Sequence, residues 1–286
     1  MYIDTLQDGT NPGGNLGVAF AANIGSTQIV PKGAYLDHLK IGISGTVGTA
    51  PVTIATALSA LSQFVFKAGQ ETRIQLSGVD LLALHAATYG KLPLAWQNTD
   101  NTGSTFILGI KVPIWEKIDS TLTYTYSATY AAQTNFSAVK LAVSAVYLNT
   151  APATSPMVAV ATPFTTPGAS GSTAMGVTLQ NLGKLNGLLV FNTTAPSDGA
   201  ALYDIQRITL VESGKQTSVL LAATPEPLLG IAGYNSGDNY GKTLQPYSFF
   251  DFSAEPFDVN TAFMQFIADV EVTSEATHLI PIITKA

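Results

Sequence analysis

The feature that most constrains this chain is a pattern stated twice. From Phe64 to Leu84 it reads FVFKAGQETRIQLSGVDLLAL, which parses as strand, tight turn, strand and the start of a short helix. From Ile208 to Ile231 it reads ITLVESGKQTSVLLAATPEPLLGI, with the same order of parts and little of the wording kept. The turn glycines Gly69 and Gly214 stand 145 residues apart (214 minus 69), as do Thr72 and Thr217, and Leu76 and Leu221. The pairs Leu81-Leu82 and Leu228-Leu229 stand 147 apart, as one short insertion between strand and helix produces. Upstream, LDHLKI at Leu36 and LNGLLV at Leu185 stand 149 apart. Each hairpin also sets an acid and a base across its turn, Lys67 with Glu71 and Glu212 with Lys215. Such a period is far too long for a solenoid, whose repeats run about 20–50 residues. It fits two copies of one domain.

The remaining segments read as strands. In the first half they are Tyr35–Gly45, Phe64–Lys67, Thr72–Leu76, Phe106–Trp115, Thr121–Tyr130 and Val139–Leu148. In the second they are Leu188–Asn192, Tyr203–Val211, Thr217–Ala222, Ser248–Phe252, Ala262–Val272 and His278–Ile283. Alternation is clearest in VKLAVSAVYL, where Val139, Leu141, Val143, Ala145 and Tyr147 share one face. Strands at this spacing, punctuated by Gly, Pro and Asn, predict an all-β sandwich or barrel. Two short helices interrupt them. Ser77 caps one, with Asp80 completing a capping box and Gly90 ending it. Thr224 caps the other, with Pro225 at the first helical position, where a missing N–H costs nothing, and Gly233 at its end. The expected organisation is an extended Gly/Asn-rich arm over 1–30, a first barrel over 31–150, a Pro/Thr/Ser-rich linker over 151–175 and a second barrel over 176–286.

Composition narrows the function. Hydrophobic residues make up 46% and charged residues 11%, against about 25% charged in an average soluble domain. Such a surface belongs in lipid or under other protein. No stretch approaches the ~18 uninterrupted apolar residues of a spanning helix; Leu16–Ala22 and Met157–Ala161 are short and broken or bounded by Gly or Pro. The first basic side chain is Lys32, so no charged region precedes an apolar export signal. The expectation is synthesis in the cytoplasm and retention there until assembly. There is no cysteine, hence no disulfide or thiolate chemistry. Net charge is −6, Arg73 and Arg207 are the only arginines, and Lys and Arg form no run. Direct nucleic-acid binding, which rests on clustered cations facing phosphates, is not expected.

The stretch LSQFVFKAGQETRIQLSGVDLLALHAATYG, its echo, and LQPYSFFDFSAEPF before the last strands carry a family likeness. They resemble the double jelly-roll major capsid proteins of tailless icosahedral viruses of the tectivirus and corticovirus kind, which enclose an internal membrane. The resemblance implies two tandem eight-stranded jelly-roll barrels, each with one short helix. It implies a homotrimer whose six similar barrels tile as a pseudo-hexagon in the shell of a virion. Its partners would be neighbouring capsomers, a separate penton protein, minor capsid proteins and an underlying lipid membrane. It implies no cofactor and no catalytic site. One departure stands out: 1–30 contains no Lys or Arg, whereas relatives often carry a basic or amphipathic segment there.

The search for chemistry among the residues is brief. His38, His85 and His278 lie far apart with no metal-ligand spacing, and His85 falls on the first helix in a structural position. GISG at Gly42 and GASGS at Gly168 miss the nucleophile-elbow pattern, and GTNPGGNLG lacks the Lys of a phosphate loop. Asp251, Glu255 and Asp258 cluster around Pro256 and read as turn-capping acids rather than a glycosidase pair. Three polar loops are the candidate exposed or inter-capsomer segments: Gln97–Ser104, with Gln97, Asp100 and Asn101; Thr193–Ala200, with Ser197 and Asp198; and Asn235–Gly241, with Asn235, Asp238 and Asn239. The alternative function is a tandem jelly-roll carbohydrate-binding or lectin-like module, for which Trp96 and Trp115 are the only indoles. A bicupin enzyme would require more histidines than three.

Overall fold

The computed structural model describes residues 2–7, 18–90, 95–97, 102–165, 168, 171–178, 183–192, 205–212, 215–219, 226–227, 239–259, 263–270 and 276–285. They fall into two units, Met1–Met157 and Val158–Ala286.

In the first unit the elements are β1 (Tyr2–Gln7), β2 (Val18–Ala19), β3 (Ile24–Ile29), β4 (Tyr35–Val47), α1 (Ile54–Ser59), β5 (Leu61–Ala68), β6 (Glu71–Leu76), α2 (Gly78–Tyr89), β7 (Ala95–Gln97), β8 (Thr105–Lys117), β9 (Tyr124–Tyr130) and β10 (Phe136–Leu148). One sheet runs β1-β10-β4-β8-β7, with β2 also on β10, and neighbours β3, β9, β5 and β6 form another run. Numbering the eight principal strands along the chain, the orders are first-eighth-third-sixth and second-seventh-fourth-fifth. That is the double-sheet jelly roll. Alternation builds its core: Leu39, Ile41 and Ile43 of β4 and Leu141, Val143 and Ala145 of β10 are buried from one sheet, and Phe64, Phe66, Tyr124 and Tyr126 from the other. The rings pair across neighbouring strands, Phe64 stacking on Tyr126 at 6.0 Å and Phe66 on Tyr124 at 6.5 Å between centroids.

The second unit contains β11 (Met157–Val160), β12 (Thr162–Thr165), β13 (Gly171–Thr178), β14 (Gly183–Phe191), β15 (Ile205–Glu212), β16 (Lys215–Val219), β17 (Glu226–Pro227), α3 (Asn239–Leu244), β18 (Tyr247–Asp251), β19 (Phe257–Val259), β20 (Phe263–Val270) and β21 (Ala276–Thr284). Both β11 and β12 lie on β21, so together they act as a single first strand. The orders are then β11/β12-β21-β14-β18 and β13-β20-β15-β16. These are again first-eighth-third-sixth and second-seventh-fourth-fifth. The two hairpins that open the sequence reading hold the fourth and fifth places in their own units, with Ala68 opposite Glu71 and Glu212 opposite Lys215.

Four expectations are corrected. The 1–30 arm contains the first and second principal strands of the first jelly roll: β1 pairs with β10 and β3 with β9. The second of them does not advertise itself, because a strand with few buried side chains has little apolar alternation. In β3 most side chains are exposed or half-buried, with Ile29 the one fully buried. The 151–175 linker contains β11, β12 and the start of β13, and its Pro163 is accommodated where, among the described residues, β12 pairs with β21 alone. In the second predicted helix, Glu226 and Pro227 instead form β17, paired with Phe249 and Ser248; Thr224, Pro225 and Gly233 lie outside the described residues, and α3 comes later, before β18. Lys67 stands opposite Thr72 rather than Glu71, because the turn is two residues long and pairs Ala68 with Glu71. One helix, α1, was not expected at all.

The helix that was expected fits its local signals. The Ser77 side chain accepts from the Asp80 N–H, Asp80 accepts from the Ser77 N–H, and Gly90 closes the helix at φ +56°. Gly78 sits so close to the Leu58 carbonyl at the end of α1 that a Cβ there would collide with it.

Candidate functional site

Inside the first unit, a buried ion pair joins the two sheets of the sandwich. Arg73 on β6 and Glu116 on β8 belong to opposite sheets, with side chains 8% and 7% exposed. The Arg73 Nη2 donates to Glu116 Oε1 at 3.3 Å, and its Nη1 lies 3.1 Å from Glu71 Oε2 at the rim. The arrangement is a cross-sheet clamp. Beside it, the Tyr124 hydroxyl accepts from the Asp119 N–H at 2.9 Å, and burial raises its pKa. Sequence reading noted Arg73 only as one of two arginines; in the mostly polar strand ETRIQL nothing local marks it as buried.

The three histidines are all separately occupied. His85 projects from α2 onto β8, its Nδ1 3.1 Å from the Lys111 carbonyl and 3.3 Å from the Lys111 N–H. Either tautomer therefore finds a backbone partner. The contact has a purpose, since among the described residues β7 covers β8 at Ile107, Leu108 and Gly109, and His85 satisfies the strand edge beyond. Lys111 in turn places its Nζ 5.2 Å from the Tyr89 ring centroid. His38 is buried on β4, its Nδ1 2.6 Å from Asp37 Oδ2 and its Nε2 without a hydrogen-bond partner. Burial holds its pKa below the ordinary value, opposed by the hydrogen bond to Asp37. His278 stacks on Phe191 at 4.9 Å between centroids. Among the described residues no group of three or more His, Cys, Asp or Glu is placed to hold a metal ion.

The carboxylates around Pro256 are exposed, and Asp251 Oδ1 accepts from the Ser253 N–H at 2.8 Å in a turn. Trp115 is half-buried in a bulge, where Leu36 faces Glu116 but His38 faces Pro113, and takes φ +54°. Trp96 lies in β7, where its backbone pairs with Leu108.

Topology sorts the candidate loops. The Gln97–Ser104 loop joins β7 to β8, and Gln97 pairs with Ile107. The Gly103 N–H donates to the Val47 carbonyl, so the loop sits where β4 ends. Thr193–Ala200 follows β14, the second unit's counterpart of β4, and Asn235–Gly241 precedes β18, the counterpart of β8. Asn239 is the first residue of α3. Asp100, Asn101, Ser197, Asp198, Asn235 and Asp238 lie outside the described residues.

No family model and no curated protein matches the chain. Solved structures do. The crystal structure of the STIV major capsid protein aligns over 99% of this chain and 96% of its own, with 14% identity and a TM-score of 0.64. The Sulfolobus turreted icosahedral virus structure aligns over 99% and 90%, with 15% identity and a TM-score of 0.66. The major capsid protein P2 of bacteriophage PM2 aligns over 100% and 98%, with 13% identity and a TM-score of 0.56. At these identities the likeness establishes the fold, a double jelly roll of the kind found in viral major capsid proteins.

Proposed function

We propose that this chain is the major capsid protein of an icosahedral virus, acting through shape rather than catalysis. The supporting observation is that one chain carries two jelly rolls of identical strand order, a design it has in common over nearly its whole length with capsid proteins. Three such chains present six similar barrels, so a homotrimer tiles as a pseudo-hexagon. Its neighbours are other capsomers, a separate penton protein at the vertices and minor capsid proteins between them. A charged fraction of 11% suits a molecule whose flanks are covered by copies of itself, since interface cores are depleted of charge. The polar loops at one end of each barrel are then the outward or inter-capsomer segments. Light scattering on a sizing column tests the reading: the expected mass is three times 29.9 kDa, with hexagonal particles in negative stain. A chain that stays monomeric at high concentration would overturn it.

A further inference from the structure

Aromatic rings and a bulge shape a cleft at one end of the first unit. Its volume is about 390 Å³, and Phe20, Tyr130, Gln133, Ser137, Ala138 and Lys140 are among the residues that line it. That volume suits a small molecule, whose sites run about 300–1,000 Å³. Phe20 is fully buried and meets the half-buried Tyr130 edge-on, 5.2 Å between centroids. On β10, Ser137 faces Thr46 and Lys140 faces Ser44, so Ala138 and Val139 together oppose Gly45. This is a β-bulge, and Ala138 takes φ +50° in it, a value uncommon for a residue with a Cβ. The bulge sets the wall. Phe136 and Val139 stay buried while Ser137 and Ala138 are exposed side by side, and the Val139 carbonyl accepts from the Phe20 N–H at 2.8 Å.

The polar groups of the cleft are few and differ in kind. Gln133 accepts from the Ser59 hydroxyl at 3.1 Å and donates to the Ala131 carbonyl at 2.9 Å, which fixes its amide and leaves a second N–H to donate. Ser137 offers an exposed hydroxyl. Lys140 is half-buried and forms no ion pair among the described residues. It is also the sole charged residue of 18–23, 46–53 and 128–140. Two acids, Asp8 between β1 and β2 and Asp100 between β7 and β8, lie outside the described residues. The Gly48 N–H donates to the Asn135 carbonyl and the Gly103 N–H to the Val47 carbonyl, both at 2.9 Å, so the cleft shares its end of the sandwich with the Gln97–Ser104 loop.

We propose that this cleft binds a carboxylated sugar, the acidic unit of a surface glycan. The Tyr130 ring suits the C–H face of a pyranose, Gln133 and Ser137 its hydroxyls, and Lys140 its carboxylate through a charge-assisted hydrogen bond. A phosphate calls for a denser set of donors, such as an arginine fork or a helix N-terminus. One lysine among apolar and neutral polar groups matches a single negative charge. The chemistry of the cleft stands on its own residues; its setting, a glycan outside the particle, rests on the shell reading above.

The test is isothermal titration of the full-length protein with methyl glucuronide and N-acetylneuraminic acid, against methyl glucoside and inorganic phosphate. The expected result is saturable, millimolar binding of an acidic sugar, with the neutral glucoside about tenfold weaker or more. Lys140→Met removes that preference, and Ser137→Phe, which fills the exposed rim, blocks both sugars. Lys117→Met, at an exposed position outside the cleft, changes nothing, and neither does Asp8→Asn. Absence of binding by both acidic sugars, equal binding of the glucoside, or full affinity in Lys140→Met would overturn the proposal. So would displacement of the sugar by equimolar phosphate, which marks a bare anion site, or a gain of about tenfold in Asp8→Asn, which marks Lys140 as already paired. Light scattering on the same samples keeps the two readings apart. Trimers that ignore acidic sugars sink the cleft and leave the shell; monomers that bind them keep the cleft and sink the shell.

Discussion

At the scale of single residues, the Arg73–Glu116 clamp makes the sharpest energetic claim. Removing one partner of a buried ion pair leaves the other desolvated and uncompensated, a cost of about 3–5 kcal/mol. Glu71 remains near Arg73 at the rim, so Glu116→Ala is expected at the lower end, about 3 kcal/mol in urea unfolding. The double change Arg73→Met with Glu116→Leu fills the same space without charge and should return to within about 1 kcal/mol of the parent. A double variant as damaged as the single one would mean that Glu116 acts through packing alone. His38 yields a pH prediction. Its folded pKa lies below 6.5 because burial disfavours the imidazolium, and with Nδ1 turned to Asp37, protonation would add a buried, unpaired N–H at Nε2. The unfolded chain therefore takes up a proton that the folded chain refuses. This contribution is fully present above pH 6.5 and is lost as pH falls towards the lowered value. Thermal melts of His38→Gln between about pH 7 and 5 should show a shallower decline than the parent; identical slopes would exclude His38 as the titrating group.

At the scale of elements, α2 is the test of local signals. Ser77→Ala removes the capping box and should cost about 1 kcal/mol, read as a lower urea midpoint. Gly78→Ala should cost as much or more, about 1–3 kcal/mol, because its Cβ meets the Leu58 carbonyl rather than a side chain that can turn away. An unaltered midpoint for Gly78→Ala would show that α1 moves freely. The same contrast explains what could be read in advance. The Ser77 cap, Asp80 and Gly90 act within a few residues of one another, so α2 was legible. The strands Phe106–Trp115 and Val139–Leu148 were legible because their alternation comes from burying one face. By contrast, β1 and β3 exist because β10 and β9 offer them partners, and no residue of IGSTQI announces that pairing. Pro163 was misleading for the same reason, since a proline excludes a central strand but not one paired on a single side. Of the candidate site, the polar loops were visible as composition. The strand order that they interrupt was not, because it depends on pairings between segments far apart in the chain.

At the scale of the whole molecule, the repeated strand order yields a prediction. If the loops after β14 and before β8 and β18 mark the outward end of each barrel, a peptide tag there should be harmless to assembly. The expected outcome of inserting one between Asp100 and Asn101, or between Ser197 and Asp198, is a particle of unchanged size that an antibody to the tag recognises intact. The same tag between Gly69 and Gln70 meets a different situation. That turn is two residues long, closes the β5–β6 hairpin with Gly69 at φ +62°, and lies beside Leu122. An insertion there, at the other end of the first unit from the Gly103–Val47 contact, should leave the tag unreactive in intact particles and exposed only after disruption, because that end then faces the interior of the shell. Antibody binding to the Gly69 tag on intact particles, with the other two silent, would reverse the orientation of the chain in the shell. Equal reactivity of all three would show that the barrels do not stand with their ends across the shell.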